Sequence, residues 1–413
     1  MSASLFAGID IGSTAVRIAV GQRLDVGGKE QLQIIGACEV PSEGVTRDVI
    51  TSIEDAVSSV SNCLEKTERM VGSPVEGAWI GISGTHITTT QSKGVVAVSR
   101  TDGEIRDEDV ARAIDAAQTV AGPVNYEVVH VIPKAFVVDG QAGIKDPVGM
   151  TGIRLEVDAQ IVHGLSAHLK NLTKCVYRTG VNIERLVLAP LATAEIVTTP
   201  RQRELGVAVV SIGSSKTTIL VFEQGDLLHI GSIPVGSEHV TSDIAIGLLV
   251  NIDLAERVKV NFANAIAKDQ DKKAEINLID FGGDGDEMVS LRYVSKIMQA
   301  RLEELFEKID KELKKIGRAG MLPAGVVLTG GGSKLPGMVD LAKEKLRLPV
   351  SLGYPIGIGS ISDRVNDLSF TTAIGLAQWG FHDVPEEGQK GLFGSRPVGR
   401  VTDKIKKIFG VFG

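Results

Sequence analysis

Aromatic residues make up only 4% of the 413-residue chain, too few for the rows of stacking rings that grip single-stranded nucleic acid. Basic charge is not in excess either. Lys and Arg number 44 against 51 Asp and Glu, and a net charge of −7 excludes a general nucleic-acid binder. Cys38, Cys63 and Cys175 are the only cysteines, odd in number and far apart. They rule out a disulfide framework or cysteine metal cluster and fit a reducing cytoplasm. The seven histidines are scattered. His163 and His168, the nearest pair, do not share one helix face, so no metal site is expected there. No stretch supplies the ~20 apolar residues that cross a bilayer. The opening MSASLFAGIDIGS has neither the basic start nor the apolar run of a secretory signal.

What is present is ample core material. Hydrophobic residues reach 43% and charged residues 23%, a globular composition in a chain long enough for roughly two to four compact units. Two segments repeat. FAGIDIGSTAVRIAV, from Phe6, and VAVVSIGSSKTTILV, from Val207, align with Asp10 over Ser211, Gly12 over Gly213, Ser13 over Ser214 and Thr14 over Ser215. Both read as strand, glycine turn, strand, rich in Val and Ile. Each is followed by another strand (Leu32 to Val40, Asp226 to Val235) and then a helical stretch, Arg47 to Gly72 or Ser237 to Val250. The offset of about 200 residues is too long for a solenoid and fits two duplicated α/β halves. Glycine permits a bend with φ > 0 and close approach of a ligand, consecutive N–H groups form an anion nest, and Ser and Thr add donors. Two such turns facing each other would hold a polyphosphate from both sides. One alone would be an ordinary hairpin.

A third element, GVVLTGGGSKLPGMVDLAKEKL from Gly325, runs a strand into Gly330, Gly331 and Gly332 and then a helix, a backbone able to lie flat against a purine or ribose. Glu256 and Lys259 fall three apart on one helix face, able to hydrogen-bond a ribose or adenine edge or to form a solvated ion pair. Val110, Ile114 and Ala117 share a helix face, with Asp107, Glu108 and Asp109 read as a charge run at that helix's N-terminus. In the second half, Leu291, Val294, Met298, Leu302, Leu305, Ile309, Leu313 and Ile316 step by threes and fours, an amphipathic helix packed on its domain.

These motifs resemble the actin-like ATPase superfamily and, within it, the FtsA family of division proteins. GIDIGSTAVRIAV is similar to its first phosphate motif, VVLTGGGSKLPG to its adenosine motif, and IPVGSEHVTSDIAIGL to the segment after its second phosphate hairpin. Tyr126 to Gly164 resembles the subdomain that this family inserts into its first half. The resemblance implies an actin-like (ribonuclease-H-like) duplicated α/β fold with an inserted α+β subdomain and a C-terminal amphipathic helix. The implied divisions are 1–83, 164–200 and 360–381 for the first half and 84–163 for an insert that makes protein contacts. The second half takes 201–250 and 325–359, with a helical outer subdomain at 251–324, a linker at 382–399 and the helix at 400–413. It implies ATP and Mg²⁺ as cofactors, the metal held through phosphates and water only. The phosphate and Mg²⁺ set is Asp10, Gly12, Ser13, Thr14, Arg17, Ser211, Gly213, Ser214, Ser215, Lys216 and Gly236. The adenosine set is Glu256, Lys259, Gly330, Gly331, Gly332 and Lys334. The exposed side of the long helix near Arg301 is implied to receive the C-terminal tail of FtsZ. Filaments of the chain itself and contacts with other division proteins are implied at the septum, on the cytoplasmic face of the membrane.

Two departures bear on activity. The superfamily's aspartate at the second hairpin, which helps hold the water shell of Mg²⁺, is Ser211 here, and the glutamate of the chaperone-like pattern before Pro190 is Ala189. Both point to ATP binding with at most slow hydrolysis. Other readings are a PilM-like actin homologue of pilus assembly or a sugar or acid kinase of the same fold. A kinase needs a general base near the second hairpin, which Ser211 does not offer.

From His382 the composition turns rich in Gly, Pro and charge, as a linker does. Val401, Ile405, Ile408, Phe409 and Phe412 then fall on one helical face, with Arg400, Lys404, Lys406 and Lys407 supplying basic charge. The last eighteen residues carry a net +4, and the remainder of the chain −11. A basic amphipathic end on an acidic body reads as an anchor to anionic lipid, the alternatives being a helix docked on its own domain or a disordered tail.

Overall fold

The computed structural model describes residues 5–119, 122–283 and 288–384. The chain begins with a meander of β1 (Leu5–Ile11), β2 (Ala15–Val26) and β3 (Lys29–Pro41). β1 is apolar throughout because both its faces are covered. Ala7, Ile9 and Ile11 enter one core, and Phe6 enters another on the opposite face. A small hairpin follows, β4 (Val45–Thr46) and β5 (Val49–Ile50), then α1 (Ile53–Val71). The helix expected from Arg47 therefore starts six residues later. Ser52 caps it by accepting from the Asp55 N–H, and Gly72 ends it at φ +75°. β6 (Gly77–Ile82) then lies parallel to β1.

Next come β7 (Ile87–Ala97), α2 (Asp107–Gln118), β8 (Tyr126–Val138), β9 (Gln141–Ile144) and β10 (Arg154–Leu165). Their strands form a separate antiparallel sheet in the order β7-β10-β8-β9, with α2 on one face. Val110, Ala113 and Ala117 fill the interface, while Ile114 is only half-buried. In the acidic run, Asp109 is buried and accepts from the Arg106 N–H at 2.9 Å, so it is a capping group rather than a solvated charge.

α3 (Ser166–Arg178) and β11 (Asn182–Leu188), parallel to β6, complete the first sheet, and α4 (Ala189–Val197) and α5 (Pro200–Leu205) lead out of it. The second half repeats the plan with β12 (Val207–Ile212), β13 (Thr217–Glu223), β14 (Asp226–Ile233) and α6 (Ser237–Leu248). An outer layer of α7 (Ile252–Phe262), the hairpin β15 (Glu275–Asn277) and β16 (Met288–Ser290), and α8 (Leu291–Lys315) follows. The α8 stripe from Val294 to Leu313 is buried, and its end members Leu291 and Ile316 are partly so. β17 (Val326–Thr329), α9 (Met338–Leu346) and β18 (Val350–Leu352) close the second sheet. β19 (Gly359–Ser360) returns to pair with β3, and α10 (Thr371–Asp383) packs on the first sheet.

The sheet orders β3-β2-β1-β6-β11 and β14-β13-β12-β17-β18 correspond strand for strand, three antiparallel then two parallel. Between them lie α4 and α10, whose apolar residues share one core with Val207, Val209 and Leu220 of the second half. Contact there is backbone to backbone. A Cβ on Gly375 would stand 2.3 Å from the Ala192 carbonyl oxygen, and one on Gly8 would stand 2.1 Å from that of Ala373.

Gly375→Ala is therefore expected to destabilise by about 1–3 kcal/mol. The sign is diagnostic, because Gly→Ala inside an exposed helix ordinarily stabilises by up to about 1 kcal/mol. Urea unfolding should show a lower midpoint at unchanged slope, and an unchanged or raised midpoint would disprove the close crossing.

Candidate functional site

The β1–β2 and β12–β13 turns are built alike. Gly12 N–H donates to the Ala15 carbonyl at 3.1 Å, and Gly213 N–H to the Lys216 carbonyl at 2.9 Å. Neither glycine lies at positive φ, contrary to the reason expected from the sequence. What each needs is room, since an added Cβ would sit 3.1 Å from that same carbonyl oxygen. Gly236 backs the second turn for a like reason: its Cβ would meet the Ser214 carbonyl oxygen at 2.3 Å.

The turns meet across a cleft of about 100 Å³, with Ser13 Oγ 3.3 Å from Ser215 Oγ. Asp10, Gly12, Ser13, Thr14 and Arg17 line it from the first half. Ser211, Gly213, Ser214, Ser215 and Lys216 line it from the second. Its floor is the N-terminal ends of α4 and α10, through Ala189, Pro190, Thr193 and Thr372. Thr193 and Thr372 hydroxyls lie 3.1 Å apart, and Thr371 reaches Thr329 of β17 at 3.0 Å. Both helices thus aim the positive ends of their dipoles at the cleft.

The charges are arranged unevenly. Burial, reinforced by Asp48, raises the Asp10 carboxyl above its ordinary 3.8, with Arg17 and Lys216 opposing. Arg17 pairs with Glu39 across the sheet at 2.5 Å. Burial lowers the Lys216 ammonium, and its ion pair with Asp48 at 2.8 Å opposes that. Ser211, the counterpart of Asp10, pairs in the sheet with Thr218 and Thr329 and brings no charge.

Asp48 was missed in the sequence. It is the second central residue of the β4–β5 hairpin, and Arg47 and Asp48 both have positive φ, +49° and +63°. A two-residue turn of the I′ kind demands this and favours Asn-Gly or Asp-Gly. Placing non-glycine residues there costs about 1–2 kcal/mol each. Without a glycine, no turn signal was visible. The one usable sign was Ser52 three residues before Asp55, which marks a helix start beyond Thr51.

The adenosine set does not line this cleft. Gly330, at φ +83°, and Gly332 are required by packing, because a Cβ on either would strike Ile212 at the end of β12. Gly331 is under no such constraint, because a Cβ there would make only an ordinary contact with Ser369 Cβ at 3.7 Å. Lys334 is held by Asp367 and by Ser369 Oγ at 3.3 Å. Lys259 is buried, not a solvated partner of Glu256 alone. It donates to Thr241 Oγ1 at 2.8 Å, to Glu256 at 2.6 Å and to the Ser237 carbonyl at 3.4 Å. Ser237 and Glu238 N–H groups in turn bond the Gly213 and Ser214 carbonyls, each at 2.9 Å, so this pair braces the second turn. Arg301 is half-buried and bidentate to Asp243 of α6 at 2.6 and 2.9 Å, rather than free on an exposed side. Val401, Lys404, Ile405, Ile408, Phe409 and Phe412 lie outside the described residues.

Donor N–H groups and hydroxyls on two facing turns, a buried ammonium and two helix N-termini suit a polyphosphate. The half-buried Asp10 carboxylate, on the cleft wall, suits a hydrated cation beside it.

A family model described as "Cell division protein FtsA" matches residues 208–375, and one described as "SHS2 domain inserted in FTSA" matches residues 84–163. The cell division protein FtsA of Bacillus subtilis is 37% identical over 386 residues, 94% of this chain and 86% of that protein. That of Pseudomonas aeruginosa is 33% identical over 411 residues, 98% of this chain and 97% of that protein. Among solved structures, the PilM–PilN type IV pilus biogenesis complex gives a TM-score of 0.66 at 14% identity, over 91% of this chain and 98% of that one. MreB5 of Spiroplasma citri bound to ADP gives 0.51 at 11% identity, over 90% and 94%. At these identities the structural likeness is one of fold, and that fold is actin-like.

Because the native state raises the Asp10 pKa, it keeps a proton that the unfolded chain loses above pH 3.8. Stability therefore falls as pH climbs from 3.8 through the raised value, and the deficit persists above it. Asp10→Asn should melt higher than the parent at neutral pH, with the difference vanishing below that window. Thermal melts across pH check this, and a lower-melting Asn variant at neutral pH would contradict it.

Proposed function

We infer, on the premise that this chain belongs to the FtsA family of cell division proteins and has the actin-like fold, that it is a nucleotide-gated filament subunit. In this reading it binds ATP, polymerises, and tethers FtsZ filaments to the cytoplasmic face of the membrane, where it helps recruit later division proteins. The observation that carries the nucleotide part is the meeting of two equivalent turns, Ser13 to Ser215, over the N-termini of α4 and α10. The turn amides and hydroxyls and Lys216 would hold the phosphates. Asp10 would orient water around Mg²⁺, itself held by phosphates and water. Bound Mg²⁺ would supply charge neutralisation for phosphoryl chemistry. Ser211 can hydrogen-bond a metal-bound water but adds no charge to fix it, so the cleft would grip ATP and hydrolyse it slowly.

The same absence of a carboxylate at Ser211 weighs against a kinase. The pilus reading draws only on likeness of fold, whereas the sequence relatives at 33–37% identity are division proteins. Among the described residues no helix is long and apolar enough to cross a membrane, and in this reading the basic amphipathic tail provides the attachment. Each basic residue near an anionic surface contributes about 1 kcal/mol, and each large apolar side chain at most ~1.5–3 kcal/mol. A single tail would bind reversibly, and a filament presenting many would bind firmly. A partner approaching α8 near Arg301 would find that guanidinium already committed to Asp243.

Deleting Val401 to Gly413 should abolish co-sedimentation with anionic liposomes while leaving ATP binding intact. Retained sedimentation would disprove the anchor. Electron microscopy on lipid monolayers should show ATP-dependent filaments that disappear with the tail. Failure to bind FtsZ tail peptide would move weight to the pilus reading.

A further inference from the structure

Asp48 takes up donors from both turns at once. Ser13 Oγ approaches its Oδ1 at 3.3 Å, Ser215 Oγ its Oδ2 at 3.3 Å, and Lys216 Nζ its Oδ2 at 2.8 Å. Its own N–H donates to Ser13 Oγ at 2.9 Å. These two hydroxyls and this ammonium are the donors that the cleft would offer to phosphate oxygens. A carboxylate and a phosphate present the same acceptor chemistry and cannot both have them.

The left-handed backbone at Arg47 and Asp48 is a second, independent observation. A turn residue ill-suited to its φ persists where the surrounding contacts over-determine it. The third is space. Asp48 forms the wall between the phosphate cleft and a smaller cavity of about 30 Å³ bounded by Val45, Ile82, His86 and His168. A side chain leaving the turns has somewhere to go.

We propose that Asp48 is a built-in phosphate surrogate: its carboxylate takes the donors of the subsite for the terminal phosphate of a nucleoside triphosphate, which must displace it to bind. The terminal phosphate is the one concerned because Asp48 enters from the first half, and no residue of the adenosine set shares its cleft. Asp48 thereby lowers affinity for the triphosphate more than for the diphosphate. The proposal rests on the nucleotide reading of the cleft.

The test is calorimetric titration of the full chain, parent and Asp48→Asn, with AMPPNP and with ADP, each with and without Mg²⁺. Losing one competing charge-assisted set should tighten AMPPNP by about tenfold or more, and ADP by clearly less. Asp48→Gly, which takes φ +63° without strain, should show the same gain and decides the matter if the Asn variant does not fold. No change, equal gains for both nucleotides, or weakened binding in Mg²⁺ would each overturn the proposal, the last by placing Asp48 in the metal's water shell. A parent that binds neither nucleotide would remove the cleft reading itself. A parent that binds while the variants gain nothing removes the surrogate alone.

Discussion

The cleft depends first on how closely α10 lies against β1 and α4. Gly8, Ala192 and Gly375 leave the three backbones in contact, where an added methyl group would stand 2.1–2.3 Å from a carbonyl oxygen. That crossing brings the two helix N-terminal turns side by side. The Thr193–Thr372 and Thr371–Thr329 hydroxyl pairs then pin those ends to each other and to the second sheet. An anion-attracting floor results from packing of small residues, before any charged side chain is considered. Even the insert is tied to this layer. Burial holds the His130 imidazole at about 4, so it is neutral at physiological pH and accepts from the Leu188 N–H at the head of α4.

Above that floor the duplication is close in backbone and broken in charge. The two turns share the same N–H to carbonyl closure within 0.2 Å, 3.1 against 2.9 Å. Yet the first half supplies Asp10, Asp48 and an Arg17 occupied by Glu39, and the second supplies Lys216 with a neutral Ser211. The ion pair across the cleft is thus between halves. An exposed pair of this kind would count for little, but this one is close to dry, with both side chains near 11–12% exposed. It joins the halves at the lip with a strength that any competing anion must match.

How much of this the sequence shows depends on periodicity. β1 and β12 were legible because strands covered on both faces run continuously apolar, and α8 because its buried residues keep a helical step over 25 residues. The three-strand-plus-helix repeat followed from them. Asp48 was not legible: an Arg-Asp turn at positive φ carries no glycine, and it abuts a helix whose pattern swallowed it. The role of Lys259 was half legible. Its spacing from Glu256 was plain, but burial beneath α6, which turns it into a brace for the second turn, arises from tertiary packing. Gly330 and Gly332 show the same limit. Glycine was read as clearance for a ligand, and the neighbour that needs the clearance is Ile212.

The two ways the halves are joined differ in kind, and this decides which can move. The α4–α10 layer is apolar, buried and interlocked at backbone distance, so sliding it would open voids in a close-packed core. At the lip the contacts are polar: Ser13 to Ser215, Asp48 to Lys216 and, from the insert, Lys145 to Asp226 at the start of β14. A ligand oxygen can stand in for the acceptor in each of these, whereas nothing can stand in for the interlocked backbones of the layer. The layer is therefore a fulcrum and the lip a clasp. A ligand that exchanges one clasp for another can do so without disturbing either core.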